Sequence, residues 1–268
     1  MGDNISLILR VIILIDIVNM YYIYFYRVIF ILLLTIIILP GCSGENDVNG
    51  NDQPQLETGA VLDADENVYT TVKIGDQWWM AENLRVTVYL DGSVIPDVQD
   101  DTEWLMAEGG AMAYYDNNEN LGKEFGALYN WYAVVDERGL CPDGWKVPSD
   151  DDWQILEKYL GMSEEAVLLE GLRGTDQGGM LKDTGTQLWN IPNAGATNET
   201  GFTALPAGSR QVEPIVFFDF LGEDTYYWTV TGYDENNAWN RGLTFKTEGI
   251  FRYSVNKRIG YSVRCLME

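Results

Sequence analysis

An uninterrupted apolar run lies near the N-terminus of the chain. Residues 28–39 read VIFILLLTIIIL without a charge, and this run is shorter than the roughly 20 residues that a membrane-spanning helix needs. Arg27 precedes the run, and LPGC follows it at 39–42. A basic residue, a short apolar core and a small residue before a cysteine are typical of a cleaved lipoprotein signal peptide. The pattern predicts a signal peptide over residues 1–41 and a lipid on Cys42.

The same run permits a second interpretation, an uncleaved membrane anchor over Met20–Leu39. The cleaved form is favoured because a cysteine stands where cleavage needs one. A signal peptide of ordinary length begins at Met20, so we expect translation to start there. Residues 42–60 are rich in Gly, Asn, Asp and Glu and lack aromatic side chains. Such a composition buries too little apolar surface to fold, and it predicts a flexible acidic tether.

Short runs of alternating apolar and polar residues follow the tether and predict strands in a single globular domain over residues 61–268. NVYTTVKI (67–74) alternates, and the dipeptide Gly-Asp at 75–76 separates it from a second strand-like run at 77–84. Two residues of this kind between such runs predict a tight hairpin. Near the C-terminus, GYSVRCLM (260–267) alternates and predicts the last strand.

The clearest helical pattern is PSDDDWQILEKYLG at 148–161. Ser149 is the predicted N-cap, with Asp152 three residues later, and Gly161 is the predicted end of the helix. The predicted buried stripe comprises Trp153, Leu156, Tyr159 and Leu160. A second short helix is predicted over residues 163–172. A hairpin, two helices and then several strands indicate an α+β fold.

The charge balance narrows the class of partners. The chain has 17 basic and 41 acidic residues and a net charge of −24. Residues 1–41 carry two charges of each sign, so the mature chain keeps this net charge. Such a field repels nucleic acid, which is excluded as a partner, and also anionic lipid. The chain has no histidine, which removes the commonest general base and the commonest transition-metal ligand.

Tryptophan and cysteine set two further expectations. All nine tryptophans lie beyond residue 77, more than a core of this size ordinarily needs, so some are expected at the surface, where indoles stack on sugars or protein partners. Once Cys42 is lipidated, only Cys141 and Cys265 remain. An even pair in an oxidising compartment predicts a disulfide, with two free thiols as the alternative.

Six stretches together carry a family resemblance. They are VYTTVKIGDQWWMAENLR (68–85), LDGSVIPDV (90–98), ALYNWYAVV (127–135), LCPDGWKVPSDDDWQILEKYLG (140–161), GFTALPAGSR (201–210) and GYSVRCL (260–266). This combination resembles the Fibrobacter succinogenes major paralogous domain, a family of bacterial extracytoplasmic domains that often occur on lipoproteins. The chain departs from the family at Thr229-Val230-Thr231, where serines more often follow the aromatic residue; Trp228 is kept.

The family is in turn similar to the C-type lectin-like fold. The resemblance implies two short helices packed on small antiparallel sheets with much loop, and a cysteine near the first helix that pairs with one in the last strand. Cys141 and Cys265 fit that arrangement. The resemblance also implies a location in the cell envelope, with the domain anchored by lipid to the outer membrane and displayed at the cell surface.

Calcium-dependent lectins of this fold use Glu-Pro-Asn or Gln-Pro-Asp and Trp-Asn-Asp motifs. Here EPI (213–215) and WNR (239–241) stand nearby, and neither isoleucine nor arginine offers calcium an oxygen. We therefore predict no metal and no other cofactor. The polar segments 116–120 and 234–237 are expected to be loops, with a bound calcium ion as the alternative for either.

The resemblance makes a non-enzymatic binding module the leading functional hypothesis, with an extracellular glycan or an envelope protein as the ligand. A structural or assembly component of the envelope is the alternative, and an enzyme related to formylglycine-generating or glycan-active proteins is the third. No catalytic residue is predicted, because the disulfide would leave no reactive cysteine. The contact surface is expected within residues 226–241. The predicted contact residues are Trp228, Asp234, Asn237, Trp239 and Asn240.

Overall fold

The computed structural model describes residues 56–268. The predicted signal peptide, Cys42 and most of the predicted tether lie outside this range. None of the helices within residues 56–268 has the length and apolar character needed to cross a membrane. The first strand begins at Thr58, within the segment that composition assigns to the tether, because Thr58–Leu62 pairs with the next strand.

The predicted hairpin is confirmed and forms part of a five-stranded antiparallel sheet. Ile74 pairs with Gln77 across the two-residue turn at 75–76. The sheet order is β1-β2-β3-β13-β6. Its strands are β1 (Thr58–Leu62), β2 (Val68–Ile74), β3 (Gln77–Met80), β6 (Trp145–Lys146) and β13 (Leu266–Met267). The predicted last strand is therefore short, and residues before it join the sheets only through isolated bridges such as Tyr129 with Tyr261.

A six-stranded sheet forms the second layer, with the order β7-β12-β11-β10-β8-β9. Its strands are β7 (Gly171–Arg173), β8 (Ala207–Gln211), β9 (Phe217–Leu221), β10 (Asp224–Gly232), β11 (Asn237–Thr244) and β12 (Ile250–Asn256). Neighbouring strands run antiparallel, except that β8 and β10 meet in parallel at Gly208 and Thr225. The expectation of purely antiparallel sheets is wrong at this contact. A two-stranded ladder of β4 (Met112–Ala113) and β5 (Leu128–Tyr129) completes the strands described.

The described residues form five short α-helices, where the sequence predicts two. They are α1 (Asp101–Met106), α2 (Glu119–Phe125), α3 (Trp131–Val134), α4 (Asp150–Tyr159) and α5 (Gln177–Leu181). The predicted helix over 163–172 is wrong: only a 3₁₀ turn forms at Ala166–Leu168, and Gly171 then takes a positive φ of 90° and enters β7. The fold is α+β and mostly sheet.

Helix α4 forms where the sequence predicts it. Ser149 and Asp152 make the reciprocal hydrogen bonds of a capping box. Trp153 and Leu156 are buried as expected, but Tyr159 is 63% exposed. The prediction for Tyr159 is wrong because its ring lies outside the core, over the β2–β3 turn, where a Cβ on Gly75 would approach it to 2.8 Å.

Tryptophan fills the interior of this domain. One core cluster includes Trp104, Trp145 and Trp228. The other contains Trp79 and Trp153, whose rings lie 5.0 Å apart, and also Trp189. The remaining three tryptophans are partly buried. The high tryptophan content therefore reflects core packing far more than surface display.

The predicted disulfide is confirmed. Cys141 and Cys265 are bonded, with Cα atoms 5.9 Å apart, and both are buried. The bond joins the segment before β6 to the residue that precedes β13. These two strands are themselves paired, so the bond closes a loop of 124 residues at a point where the sheet already brings its ends together.

A buried charge cluster fastens α4 to the six-stranded sheet. Asp150 Oδ1 accepts from Arg241 at 2.7 Å, and its Oδ2 accepts from Arg252 at 2.8 Å. Glu157, two turns further along α4, accepts from Arg241 at 2.6 Å and from Arg173 at 2.8 Å. All five side chains are at least nine-tenths buried. Arg241 is thus a structural ion-pair partner.

Candidate functional site

Two of the predicted contact residues are buried in the core. Trp228 is fully enclosed, and its Nε1 donates to the Tyr129 carbonyl at 2.8 Å. Asn240 is also enclosed, and its Nδ2 donates to the Tyr253 carbonyl at 3.0 Å. They are directly paired across β10 and β11 and point to the same face of the sheet. Neither Trp228 nor Asn240, both predicted to contact a ligand, is therefore exposed to solvent in this structure.

Trp239 is partly exposed, but protein groups already cover much of its ring. The Arg252 guanidinium lies 3.6 Å from the ring centroid, and the Tyr233 ring packs edge-on at 4.9 Å. Trp239 also precedes Asn240 on the same strand, so the two side chains point to opposite faces of the sheet. The structure therefore does not bring Trp239 and Trp228 together into one stacking surface.

Asp234 and Asn237 lie at the tip of the β10–β11 hairpin, where they bind each other. The Asp234 carboxylate accepts from the backbone N–H groups of Asn236 and Asn237 and from the Asn237 side chain. These hydrogen bonds lower the pKa of Asp234. Lys257 donates to the backbone carbonyls of Asp234 and Glu235. The cluster shapes a turn, as Asx side chains commonly do.

A different surface carries a shallow depression that is open to solvent, which we call the Asp/Phe groove. It has a volume of about 570 Å³, within the range of small-ligand pockets. Three separate segments of the chain line it. The lining residues are Gln99, Asp100, Asp101, Asp116, Asn117, Val216, Phe217 and Phe218.

The start of helix α1 forms one wall of the Asp/Phe groove. Asp100 is the N-cap, and its Oδ1 accepts from the N–H groups of Thr102 and Glu103 at 2.8 and 3.0 Å. Asp101 Oδ1 accepts from Arg210 at 2.7 Å. Within residues 56–268, the Oδ2 atoms of both aspartates accept no hydrogen bond. Each carboxylate therefore keeps one oxygen for a ligand.

Arg210 supports this wall from inside the domain. Its guanidinium is buried and donates to the carbonyls of Val98 and Gln99 as well as to Asp101. It also lies 4.4 Å from the Trp104 ring centroid and 5.0 Å from that of Phe218. Burial lowers the pKa of Arg210, and the neighbouring Asp101 opposes that effect. The arginine thus fixes two lining residues while staying out of contact with solvent.

Asp116 and Asn117 form the opposite wall, and both adopt the left-handed backbone conformation, with φ of 52° and 53°. Asp and Asn tolerate this conformation better than most residues. The Asn117 side chain donates to the Gln99 carbonyl at 3.3 Å, which ties the two walls together. The Asp116 side chain is exposed and has no hydrogen-bond partner among the described residues.

Strand β9 contributes the aromatic floor. Phe218 packs against Tyr115 with ring centroids 5.3 Å apart, and the Arg210 guanidinium lies over its ring, so Phe218 is held in place by protein groups. Phe217 also lines the groove and is partly exposed, but as the neighbour of Phe218 on β9 it points its side chain to the opposite face of the strand. The arrangement sets a flat apolar ring beside carboxylate and amide oxygens. A ligand with both an apolar face and hydrogen-bond donors matches that chemistry.

The sequence pointed to only part of this groove. The polar segment 116–120 stands out as a loop, and Asp116 and Asn117 belong to it. The aspartates at 100 and 101 and the pair of phenylalanines carry no local motif. Tertiary packing brings these three segments together, so their spacing along the chain gave no signal.

A second, smaller pocket lies on the described surface. The pocket, about 210 Å³ in volume, has lining residues of both charges, and among them Asp65 is already engaged by the backbone and side chain of Thr87. Across residues 56–268, acidic and cysteine side chains form no group of three or more suited to hold a metal ion.

Comparison with known proteins gives one match. The model of the Fibrobacter succinogenes major domain family matches residues 72–267. No curated protein and no solved structure matches the chain at a significant level. The matched range contains the hairpin strand β3, the disulfide, α4 and every residue that lines the Asp/Phe groove. The chain therefore belongs to the Fibrobacter succinogenes major domain family.

Proposed function

We propose that this protein is a lipid-anchored component of the cell envelope whose folded domain binds an extracellular glycan in the Asp/Phe groove. The observation that carries the proposal is that Phe218 lines the same groove as the unshared oxygens of Asp100 and Asp101 and as Asp116. A sugar ring has an apolar C–H face that packs on an aromatic ring, and hydroxyl groups that donate to carboxylates.

The fold supports a lectin-like assignment as part of this proposal. Small sheets with short helices and much irregular chain surround a disulfide that joins the region before α4 to the last strand. The groove lies elsewhere than the β10–β11 hairpin, where the sequence led us to expect contacts. The domain would thus bind its ligand without the calcium-bearing loop of the lectins it resembles.

A glycan array with the full-length protein, solubilised in detergent, tests the proposal. We expect binding to a restricted set of saccharides, with and without a calcium chelator, because the groove relies on side-chain oxygens and an aromatic ring. The variant Tyr233→Ala, in the β10–β11 hairpin, should give the same pattern as the wild type. An array on which the wild type binds no saccharide would contradict the proposed site. So would an array on which Tyr233→Ala no longer binds the saccharides that the wild type binds.

A structural or assembly role in the envelope is the second candidate, and one observation favours it. Leu168, Leu169 and Leu172 are 63%, 60% and 48% exposed beside the edge strand β7. Exposed leucines close together beside an open sheet edge are suited to contact another protein. Chemical crosslinking in intact cells distinguishes the two candidate functions. If one envelope protein is crosslinked repeatedly near these leucines, and no saccharide binds on the glycan array, the assembly role is favoured.

A further inference from the structure

We propose that one face of the six-stranded sheet binds an extended segment of another protein in which arginine and aliphatic side chains alternate with small polar ones. The binding surface consists of Leu172, Tyr226, Phe251 and Tyr253, and we call it the aromatic strip. It shares no residue with the lining of the Asp/Phe groove. The inference therefore goes beyond the proposed function and does not depend on it.

The strand register places the side chains of the aromatic strip on one face. Tyr226 on β10, Phe251 on β12 and Leu172 on β7 stand in one row, because consecutive strands pair at these positions. Tyr253 lies two residues after Phe251 and points the same way. Leu172 is 48% exposed, Tyr253 is 43% exposed, and the other two side chains are partly exposed. Four apolar side chains thus lie side by side within reach of solvent.

Protein groups hold the rings of the aromatic strip in position. Tyr226 stacks on Tyr261 with ring centroids 4.7 Å apart, and its hydroxyl donates to Asp224 at 2.8 Å. The Tyr226 ring lies over Gly242, where a Cβ would approach it to 3.0 Å. Because the surface is already ordered, a partner does not have to order it on binding.

The aromatic strip lies beside negative charge and away from positive charge. The basic residues of β7, β10, β11 and β12 are three arginines, and all of them point to the opposite face, where they bind Asp150 and Glu157 on α4. The acidic residue of these four strands is Asp224, which lies on the same face as the strip. A cationic partner therefore matches the charge of this surface.

Elsewhere in the domain, basic side chains of the protein itself cover partly exposed aromatic rings. Lys257 lies over Trp131, and Arg252 lies over Trp239 on the other face of the same sheet. Within residues 56–268, no lysine or arginine lies over a ring of the aromatic strip. An arginine of a partner can make this contact, because a planar guanidinium stacks on aromatic faces.

The spacing of the rings fits an extended segment. The ring centroids of Phe251 and Tyr253 are 5.8 Å apart, close to the roughly 6.7 Å between alternate residues of an extended chain. A second copy of this protein does not fit, because a twofold contact would set the strip against an identical strip that lacks a cation. The net charge of −24 also opposes self-association and contact with an anionic membrane.

Fluorescence anisotropy of a labelled, end-capped peptide, GSRSLSRSG, with the full-length protein in detergent tests the inference. The arginines and the leucine of this peptide share one face when it is extended. The matched probe has citrulline in place of both arginines, which keeps the shape and removes the charge. At about 150 mM salt, which screens distant charges, we expect the arginine peptide to bind about fivefold more tightly than the citrulline peptide.

Variants of the aromatic strip separate this binding from a general attraction of cations to an acidic protein. Tyr253→Leu keeps an apolar side chain and removes the ring, so it should weaken binding of the arginine peptide about three- to fivefold. Leu172→Arg places a cation beside Phe251 and should weaken it about tenfold through like-charge repulsion. The matched controls are Tyr159→Leu and Ile191→Arg, at exposed positions outside the strip, and each should change binding less than about twofold.

Three results would overturn the inference. The first is equal binding of the arginine and citrulline peptides, or no binding of either at up to about 1 mM. The second is an equal loss of binding in the strip variants and in their controls. The third is displacement of the bound peptide by a saccharide from the array, which would assign the strip to sugars. A loss confined to Tyr253→Leu and Leu172→Arg supports the inference, whatever the Asp/Phe groove binds.

Discussion

Asp150 holds two arginines through both of its oxygens, and it lies at the first turn of α4, where it also benefits from the helix dipole. Its role is structural: the carboxylate joins α4 to β11 and β12. The neighbouring Asp151 has the same chemistry and no such partners, because it points to solvent. Two adjacent aspartates thus make very different contributions to stability.

Replacing Asp150 with asparagine tests this difference. The change leaves Arg252 buried without an acidic partner and Arg241 with Glu157 alone, so we expect a loss of about 3–5 kcal/mol in the free energy of unfolding. Urea unfolding measures it. Asp151→Asn is the control and should change the same quantity by less than about 0.5 kcal/mol. Equal effects from the two variants would show that the buried cluster contributes little.

The same ion pairs should make the free energy of unfolding depend on pH in the acid range. Burial alone would raise the pKa of Asp150, but hydrogen bonds and charge from Arg252 and Arg241 outweigh it and lower the pKa to about 2. Because the folded pKa lies below the unfolded one, the stabilisation is present above about pH 4 and is lost as the pH falls toward about 2. The gap in unfolding free energy between wild type and Asp150→Asn should therefore narrow across that window. A difference in unfolding free energy that stays constant over this pH range would contradict the lowered pKa of Asp150 in the folded protein.

Helices and strands could be predicted from the sequence where the residues that define them lie close together in the chain. The β2–β3 hairpin and α4 could be predicted because turn, cap and stripe all lie within one short stretch of sequence. The helix predicted over 163–172 failed because Gly171 leaves the helical conformation to pair β7 with β12. The groove could not be predicted, since α1, the 116–117 turn and β9 meet only through tertiary packing.

Tryptophan gave a misleading signal for a related reason. Composition counts aromatic residues, but the pairing of strands decides which face each one occupies. Trp228 and Trp239 look alike in the sequence, yet they lie on opposite faces of the six-stranded sheet, one enclosed and one against Arg252. The ligand-contact prediction for these residues depended on an orientation that their spacing did not define.

The disulfide links elements that are far apart in the chain, and its loss should be costly. It closes a loop of 124 residues, which the chain-entropy model values at about 4–5 kcal/mol. The double variant with Cys141→Ala and Cys265→Ala should unfold at a much lower urea concentration than the wild type. Cys42→Ser, which leaves this pair intact, is the control. A loss below about 1 kcal/mol would show that other contacts already hold β6 and β13 together.

At the scale of the whole molecule, the N-terminal pattern predicts a lipid anchor. Mass spectrometry of the native protein should find Cys42 as the first residue, with acyl chains attached. Cys42→Ser should prevent that processing and remove the protein from the membrane fraction in its mature form. A mature N-terminus upstream of Cys42 without lipid would contradict the anchor and leave the domain fold unaffected.

We propose that the folded domain binds a saccharide in the Asp/Phe groove. This proposal is tested by calorimetric titration of the array-selected saccharide into three proteins: the wild type, Phe218→Ala and Tyr253→Ala. Tyr253 is the matched control, because it is an aromatic residue, 43% exposed, that does not line the groove. We predict that Phe218→Ala weakens saccharide binding about tenfold and that Tyr253→Ala binds as the wild type does. Unchanged binding in Phe218→Ala, with its fold intact, would contradict this proposal.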